Sequence, residues 1–76
     1  MEAQFWCINL YDDSGTCRYS LYFYEEDELD KNLKEIKENL KNSINTFEPI
    51  GDLMGTKLIS LKDISSIKVN PETIPF

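Results

Sequence analysis

Residues 4–24 have the sequence QFWCINLYDDSGTCRYSLYFY, in which two aromatic and branched runs flank a short polar segment. Runs of this composition are typical of β-strands. The segment between them, residues 12–15, is typical of a turn, because Asp and Ser side chains bond nearby backbone groups and glycine adopts positive φ. This stretch therefore predicts an N-terminal β-hairpin.

The register predicted for this hairpin gives it one apolar face and one aromatic and polar face. A four-residue loop pairs Tyr11 with Thr16. The next pairs on the face expected to pack on the core are Leu10–Cys17, Ile8–Tyr19 and Trp6–Leu21, with Phe23 beyond them. The opposite face carries Phe5, Cys7, Asn9, Tyr11, Arg18, Ser20, Tyr22 and Tyr24. The two cysteines then lie on opposite faces, so we expect no disulfide between them.

Residues 25–43 have a helical pattern. Leu29, Leu33, Ile36 and Leu40 are spaced four, three and four residues apart, which places them on one stripe of an amphipathic helix. Acidic residues fill the first turns and lysines follow, an order that complements the helix dipole. We expect Asp27 to cap the N-terminus of this helix.

The rest of the chain predicts two or three short strands, at residues 46–50, 57–61 and 65–70, with a corner at residues 62–64. Residues 71–76, bracketed by two prolines, are expected to form an extended C-terminal tail. The predicted fold is one small α+β domain over residues 1–76: a β-hairpin, one amphipathic helix, then two or three further antiparallel strands. The sheet either stays open with the helix on one face or curls towards a small barrel.

Charge is unevenly distributed along the chain. Residues 1–30 contain eight acids and one base, whereas residues 31–76 contain six acids and seven lysines. The acids expected to form a partner-binding field are Asp12, Asp13, Glu25, Glu26, Asp27, Glu28 and Asp30. Such a field steers encounters with basic proteins and repels nucleic acids and anionic membranes. The alternative is a solvated surface around a helix N-terminus, which favours acids for its own stability.

The aromatic residues on the second face of the hairpin raise a separate question. One helix covers one face of a sheet, so Phe5, Tyr11, Tyr22 and Tyr24 are either exposed as an interface or covered by the C-terminal strands. As an interface, Phe5, Tyr11 and Tyr22 are expected in a homo-oligomer contact, and Tyr22 and Tyr24 beside the acids in a partner contact. Leu53 and Met54, apolar residues in a loop between two glycines, either insert into a partner or close the bottom of the core.

The composition argues against catalysis. The chain has no histidine, which excludes Ser-His and Cys-His dyads. The residues at 51–55 lack the Lys-Ser/Thr of a phosphate-binding loop, and two cysteines without a CxxC spacing do not predict a metal site. We therefore expect no enzymatic activity, no cofactor and no metal. The N-terminus lacks the basic region of a signal peptide, which predicts a cytoplasmic protein. No apolar run is long enough to span a membrane, so we expect no membrane binding. The net charge of −6 argues against binding to nucleic acid.

Three functional hypotheses follow from these features. The first is a small acidic protein-interaction module that binds a basic surface of another protein, as phage or mobile-element inhibitors of host enzymes do. The second is a homo-oligomeric assembly module that uses the aromatic sheet face. The third is a binder of a small ligand between helix and sheet, which the apolar stripes favour least because no polar groups converge there.

Overall fold

The structure is a computed structural model that describes the backbone of residues 2–75 and the side chains of residues 5–69. Its elements are β1 (Glu2–Asp12), β2 (Cys17–Phe23), α1 (Glu26–Lys41), β3 (Thr46–Phe47), β4 (Ile59–Ser60) and β5 (Ile64–Pro75). The three long strands form an antiparallel sheet in the order β2-β1-β5, and β3 and β4 form a separate antiparallel ribbon. The predicted α+β class, with a hairpin, one helix and further antiparallel strands, is confirmed.

The core lies between one face of the sheet, the helix and the ribbon. The hairpin contributes Ile8, Leu10, Leu21 and Phe23, each with no exposed surface. The other buried members are Leu29, Ile36, Phe47, Ile59 and Leu61. The predicted helical stripe is confirmed, because Leu33 and Leu40 pack against this cluster beside the buried Leu29 and Ile36.

The predicted register of the hairpin is wrong by two residues over most of its length. The observed pairs include Trp6–Phe23, Ile8–Leu21 and Leu10–Tyr19, whereas Tyr11 pairs with Cys17. Arg18 is therefore an extra residue in β2, a β-bulge next to the turn. A shift of two leaves the side-chain faces of residues 6–10 unchanged, so their apolar face was predicted correctly in spite of the register.

The bulge contradicts the prediction that the two cysteines lie on opposite faces of the hairpin. Cys17 lies on the outer face, where its Sγ is 4.0 Å from the Asn9 Oδ1 that Cys7 Sγ also approaches, at 3.5 Å. The two cysteines therefore share a face instead of lying on opposite faces. The two cysteines are not joined in a disulfide; Cys7 is buried and Cys17 is exposed.

The helix is shorter than predicted and is capped differently. It spans Glu26–Lys41, and Glu25, with extended φ and ψ, occupies the N-cap position without a capping hydrogen bond from its side chain. Asp27 lies inside the first turn and is not the N-cap. Its carboxylate there still has a favourable interaction with the helix dipole.

The C-terminal strand extends the sheet instead of covering its outer face. β5 pairs with β1 from Asp12–Ile64 to Glu2–Pro75, so the described part of the segment predicted as a tail, residues 71–75, belongs to a strand. Phe76 lies outside the described residues. The outer face of the hairpin is therefore not closed by a second sheet layer, and the sheet is open and not a barrel.

The prolines of β5 fit this position because their nitrogens face the free edge of the sheet. The backbone N–H and C=O of Tyr22 point away from β1, to Asp52 and Leu53. The paired residue Cys7 therefore directs its own backbone groups towards β5 at residue 70. Alternation then turns the nitrogens of residues 71 and 75 outwards, where a missing N–H removes no ladder hydrogen bond and blunts the edge against strand addition.

Candidate functional site

The acids predicted to form one field lie in two separate places. Asp12 and Asp13 are at the tip of the hairpin, and Glu25 to Asp30 are at the other end of β2, where the helix begins. The seven residues of β2 lie between them, a distance of about 23 Å for an extended strand. The two groups therefore do not form a single contact patch.

Asp12 has a structural role in the turn. Its Oδ1 accepts hydrogen bonds from the Ser14 backbone N–H at 2.9 Å, the Ser14 hydroxyl at 2.7 Å and the Thr16 N–H at 3.0 Å. Its Oδ2 lies 3.5 Å from the Arg18 guanidinium. The Ser14 hydroxyl, followed by the Thr16 backbone, lowers the pKa of Asp12 below its usual value. Asp13, by contrast, is exposed at the same tip.

We expect Asp12→Asn to destabilise the protein at neutral pH and to lose this effect in acid. Because the folded-state pKa of Asp12 is lowered from 3.8, its carboxylate stabilises the fold above that value and stops doing so as the pH falls through the folded pKa. Melting temperatures of both proteins measured from pH 7 to pH 2 check this. The difference between them should shrink below about pH 4. A difference that is constant with pH would contradict the assigned role.

The carboxylates at the helix start form the larger anionic surface. Glu25, Glu26, Asp27 and Asp30 are exposed, and Glu28 is half-buried beside the following loop. Among the described residues the one ion pair is Arg18–Asp12, so the helix-start carboxylates form no ion pair with a lysine there. Their negative charges interact favourably with the positive end of the helix dipole.

Three of the four predicted outer-face aromatics come together beside this acidic surface. The rings of Phe5 and Tyr24 have centroids 5.4 Å apart, and Tyr22 lies next to them on the same groove. Tyr11 is elsewhere: its ring lies 5.4 Å from Lys68 Nζ in a cation–π contact. Phe5, Tyr22 and Tyr24 thus share a site that does not include Tyr11.

The loop at residues 51–55 completes this groove. Leu53 and Met54 line it together with the three aromatic rings, and the groove is open to solvent with a volume of about 440 Å³. Of the two predictions made for these loop residues, closure of the core is wrong: Leu53 is 38% exposed and Met54 is 73% exposed. We call the groove lined by Phe5, Tyr22, Tyr24, Leu53 and Met54 the aromatic groove.

Two side chains that sequence reasoning did not single out hold the loop in position. Asp52 Oδ1 accepts the Tyr22 N–H at 2.8 Å, and Asp52 Oδ2 accepts the Thr56 N–H at 3.1 Å. The Leu53 N–H in turn donates to the Tyr22 carbonyl oxygen at 2.8 Å. The loop is therefore hydrogen-bonded to the outer edge of β2 at one residue, Tyr22. An aspartate between two glycines was the available signal, since Asp commonly bonds backbone groups in turns.

Asn32 is the second side chain that holds the loop in position. It is the one buried polar side chain among the described residues, at 3% exposure. Its Nδ2 donates to the carbonyl oxygens of Glu28 and Ile50, and its Oδ1 accepts the Ile50 N–H. These bonds attach the loop to the helix just before Gly51, whose φ of +84° favours glycine and whose α-carbon lies against the Glu28 carboxylate.

The described residues show neither a metal-binding cluster nor a membrane-spanning helix. No three His, Cys, Asp or Glu side chains come together there in a way that could hold a metal ion. The helix among them, sixteen residues long, is too short and too polar to cross a bilayer. Comparisons of the chain with protein-family models, curated proteins and solved structures found no match.

Proposed function

We propose that this protein is a small, non-catalytic interaction module that binds a basic surface of another protein through the acidic start of its helix. The observation that carries this proposal is that carboxylates without an ion pair among the described residues adjoin an exposed aromatic surface. Glu25 to Glu28 follow Tyr24 directly in the chain, and the loop that lines the aromatic groove contacts Glu28. An aromatic centre surrounded by a polar, solvent-accessible rim is the usual anatomy of protein interfaces.

Blocking a basic protein surface is the activity that such a site supports. Its charge accelerates encounter and orients the partner, while the apolar residues slow dissociation. Within this proposal the hairpin-tip residues Asp12 and Asp13 contribute only to the long-range field, because Asp12 is occupied in the turn and both lie at the far end of β2.

We expect a variant with Glu25, Glu26, Asp27 and Glu28 all changed to their amides to lose its partner. The measurement is affinity capture from a lysate of the source cells, with the wild type, this variant and a matched control as bait. The control changes four other exposed acids, Asp13, Glu35, Glu38 and Glu48, to their amides and so has the same net charge. Circular dichroism verifies that each variant is folded.

The wild type and the control should retain the same proteins at low salt and release them at high salt. The Debye screening length falls from about 10 Å at 0.1 M ionic strength to about 3 Å at 1 M, which weakens attraction between exposed charges. The helix-start variant should retain none of them. Equal loss by both variants would show that only the total charge matters, and equal retention would show that these acids are not the contact.

The assembly hypothesis retains one specific observation in its favour. Tyr24, 64% exposed, and Met54, 73% exposed, lie on the aromatic face through which a homo-oligomer would form. Light scattering after gel filtration, at two salt concentrations, distinguishes the two proposals. A salt-insensitive dimer would favour assembly, whereas a monomer leaves the groove available to a different protein.

A further inference from the structure

The aromatic groove has the features of an anchor site for a single apolar side chain. It is a cleft of about 440 Å³ between the outer face of the hairpin and the loop at residues 51–55. The most exposed residues of its lining are Met54, at 73%, and Tyr24, at 64% exposure. Methionine is flexible and adapts to the shape of a partner side chain, and tyrosine supplies a large contact area at little entropic cost.

The rim of this groove is anionic. Glu25 adjoins Tyr24 in the chain, and the loop that contributes Leu53 and Met54 begins at Gly51, packed against the carboxylate of Glu28. Any chain seated in the groove therefore passes close to carboxylates that form no ion pair with a described lysine. Basic residues on either side of an apolar anchor would complement this rim.

The same charge pattern argues against a second copy of this chain as the occupant. A two-fold symmetric dimer brings the same patch of both subunits together. Contact through the aromatic groove would then place one helix-start acidic run against the other, and like charges facing each other oppose association. The formal net charge of −6 of the whole chain opposes such a contact as well.

We infer that the aromatic groove binds a basic segment of another protein, with one apolar side chain of that segment inserted between Tyr24 and Met54 and its lysines or arginines over Glu25 to Glu28. This inference rests on the proposed function and adds to it the chemistry of the bound segment. The acids account for attraction and the groove accounts for retention.

Short synthetic peptides of equal length test this inference on the isotope-labelled full chain by nuclear magnetic resonance. The first alternates leucine and lysine, the second has serine in place of each leucine, and the third has glutamate in place of each lysine. We expect the first peptide to shift the amide resonances of Tyr22, Tyr24, Leu53 and Met54 together with those of residues 25–28. The serine peptide should shift residues 25–28 alone, and the glutamate peptide should shift neither set.

A pair of variants provides the affinity readout. Met54→Ser should weaken binding of the leucine–lysine peptide by about tenfold, as removal of an anchor contact does. Leu58→Ser, at a residue that is also apolar, exposed (59%) and in a loop, should leave it unchanged.

Each other outcome overturns the inference in a recognisable way. If the serine and leucine peptides give the same shifts at residues 25–28 and none in the groove, the groove is not the anchor and the proposed function still stands. If no cationic peptide shifts either region, both fall. Equal binding of the glutamate peptide would remove the charge requirement. Groove shifts that grow with protein concentration without peptide would identify a second copy as the occupant.

Discussion

Replacing Asn32 by alanine is expected to lower the free energy of unfolding by about 2–4 kcal/mol. The side chain is 3% exposed and makes three hydrogen bonds, to Glu28 O at 2.7 Å, Ile50 O at 2.9 Å and Ile50 N at 2.9 Å. Alanine removes all three and leaves a cavity beside the helix. Because buried polar groups without partners are costly, the loss exceeds the net contribution of ordinary surface hydrogen bonds.

Thermal and urea unfolding measure this loss, with the fluorescence of Trp6, the one tryptophan of the chain, as the probe. A domain of this size loses roughly 4–8 °C of melting temperature per kcal/mol. Asn39→Ala is the matched control: it lies on the same helix and makes one hydrogen bond from its side chain, Nδ2 to Thr46 O at 2.9 Å. We expect the control to cost about 1 kcal/mol.

A second substitution separates the hydrogen bonds from the volume. Asn32→Leu fills the space that alanine leaves but restores none of the bonds to Ile50. If leucine recovers most of the stability lost in the alanine variant, the cavity was the main cost. If both variants lose similar stability and the Asn39 control does not, attachment of the loop to the helix is what Asn32 provides. Equal losses in the alanine variants of Asn32 and Asn39 would contradict its assigned role.

The residues that the sequence analysis predicted well are those whose position follows from a repeating pattern. Ile8 and Leu10 flank Asn9, and Leu29 and Ile36 recur at helical spacing. These periods identify the buried face whatever the pairing partner is. The hairpin register was beyond this reasoning, because it depends on Asp12 closing the turn and on the bulge at Arg18, which are decided by individual hydrogen bonds.

The candidate site was only half predictable for the same reason. Tyr22 and Tyr24 were identified with the neighbouring acids because they follow one another along the chain. Leu53 and Met54 are distant in sequence, and their place in the aromatic groove depends on contacts of Asp52 with Tyr22 and Thr56. Asn32 resembles the other amides of the helix in sequence. Only its place next to Ile50 shows that it is buried.

The aromatic groove depends on Asp52 more than the core does, and this predicts separable effects in Asp52→Ala. The variant loses the acceptors for the Tyr22 and Thr56 N–H groups, at 2.8 Å and 3.1 Å. Asp52 is half-buried, so we expect a loss of about 1–3 kcal/mol in the free energy of unfolding. Leu53 and Met54 are then no longer held beside Tyr22, and the outer wall of the groove is lost.

Hydrogen exchange of individual amides distinguishes this local opening from general destabilisation. In Asp52→Ala, the amide of Leu53, bonded to Tyr22 O at 2.8 Å, should exchange much faster than in the wild type. The exchange of the Ile8 and Leu21 amides, in the fully buried centre of the hairpin, should accelerate only in proportion to the loss in the global free energy of unfolding.

Asp52→Asn is the matched control, because its amide oxygen can still accept from Tyr22 while its NH₂ group cannot accept from Thr56. It should fall between the wild type and the alanine variant. Equal acceleration at Leu53 and Ile8 would mean that the loop opens only when the whole domain unfolds, and Asp52 would then stabilise the domain as a whole and not the groove in particular.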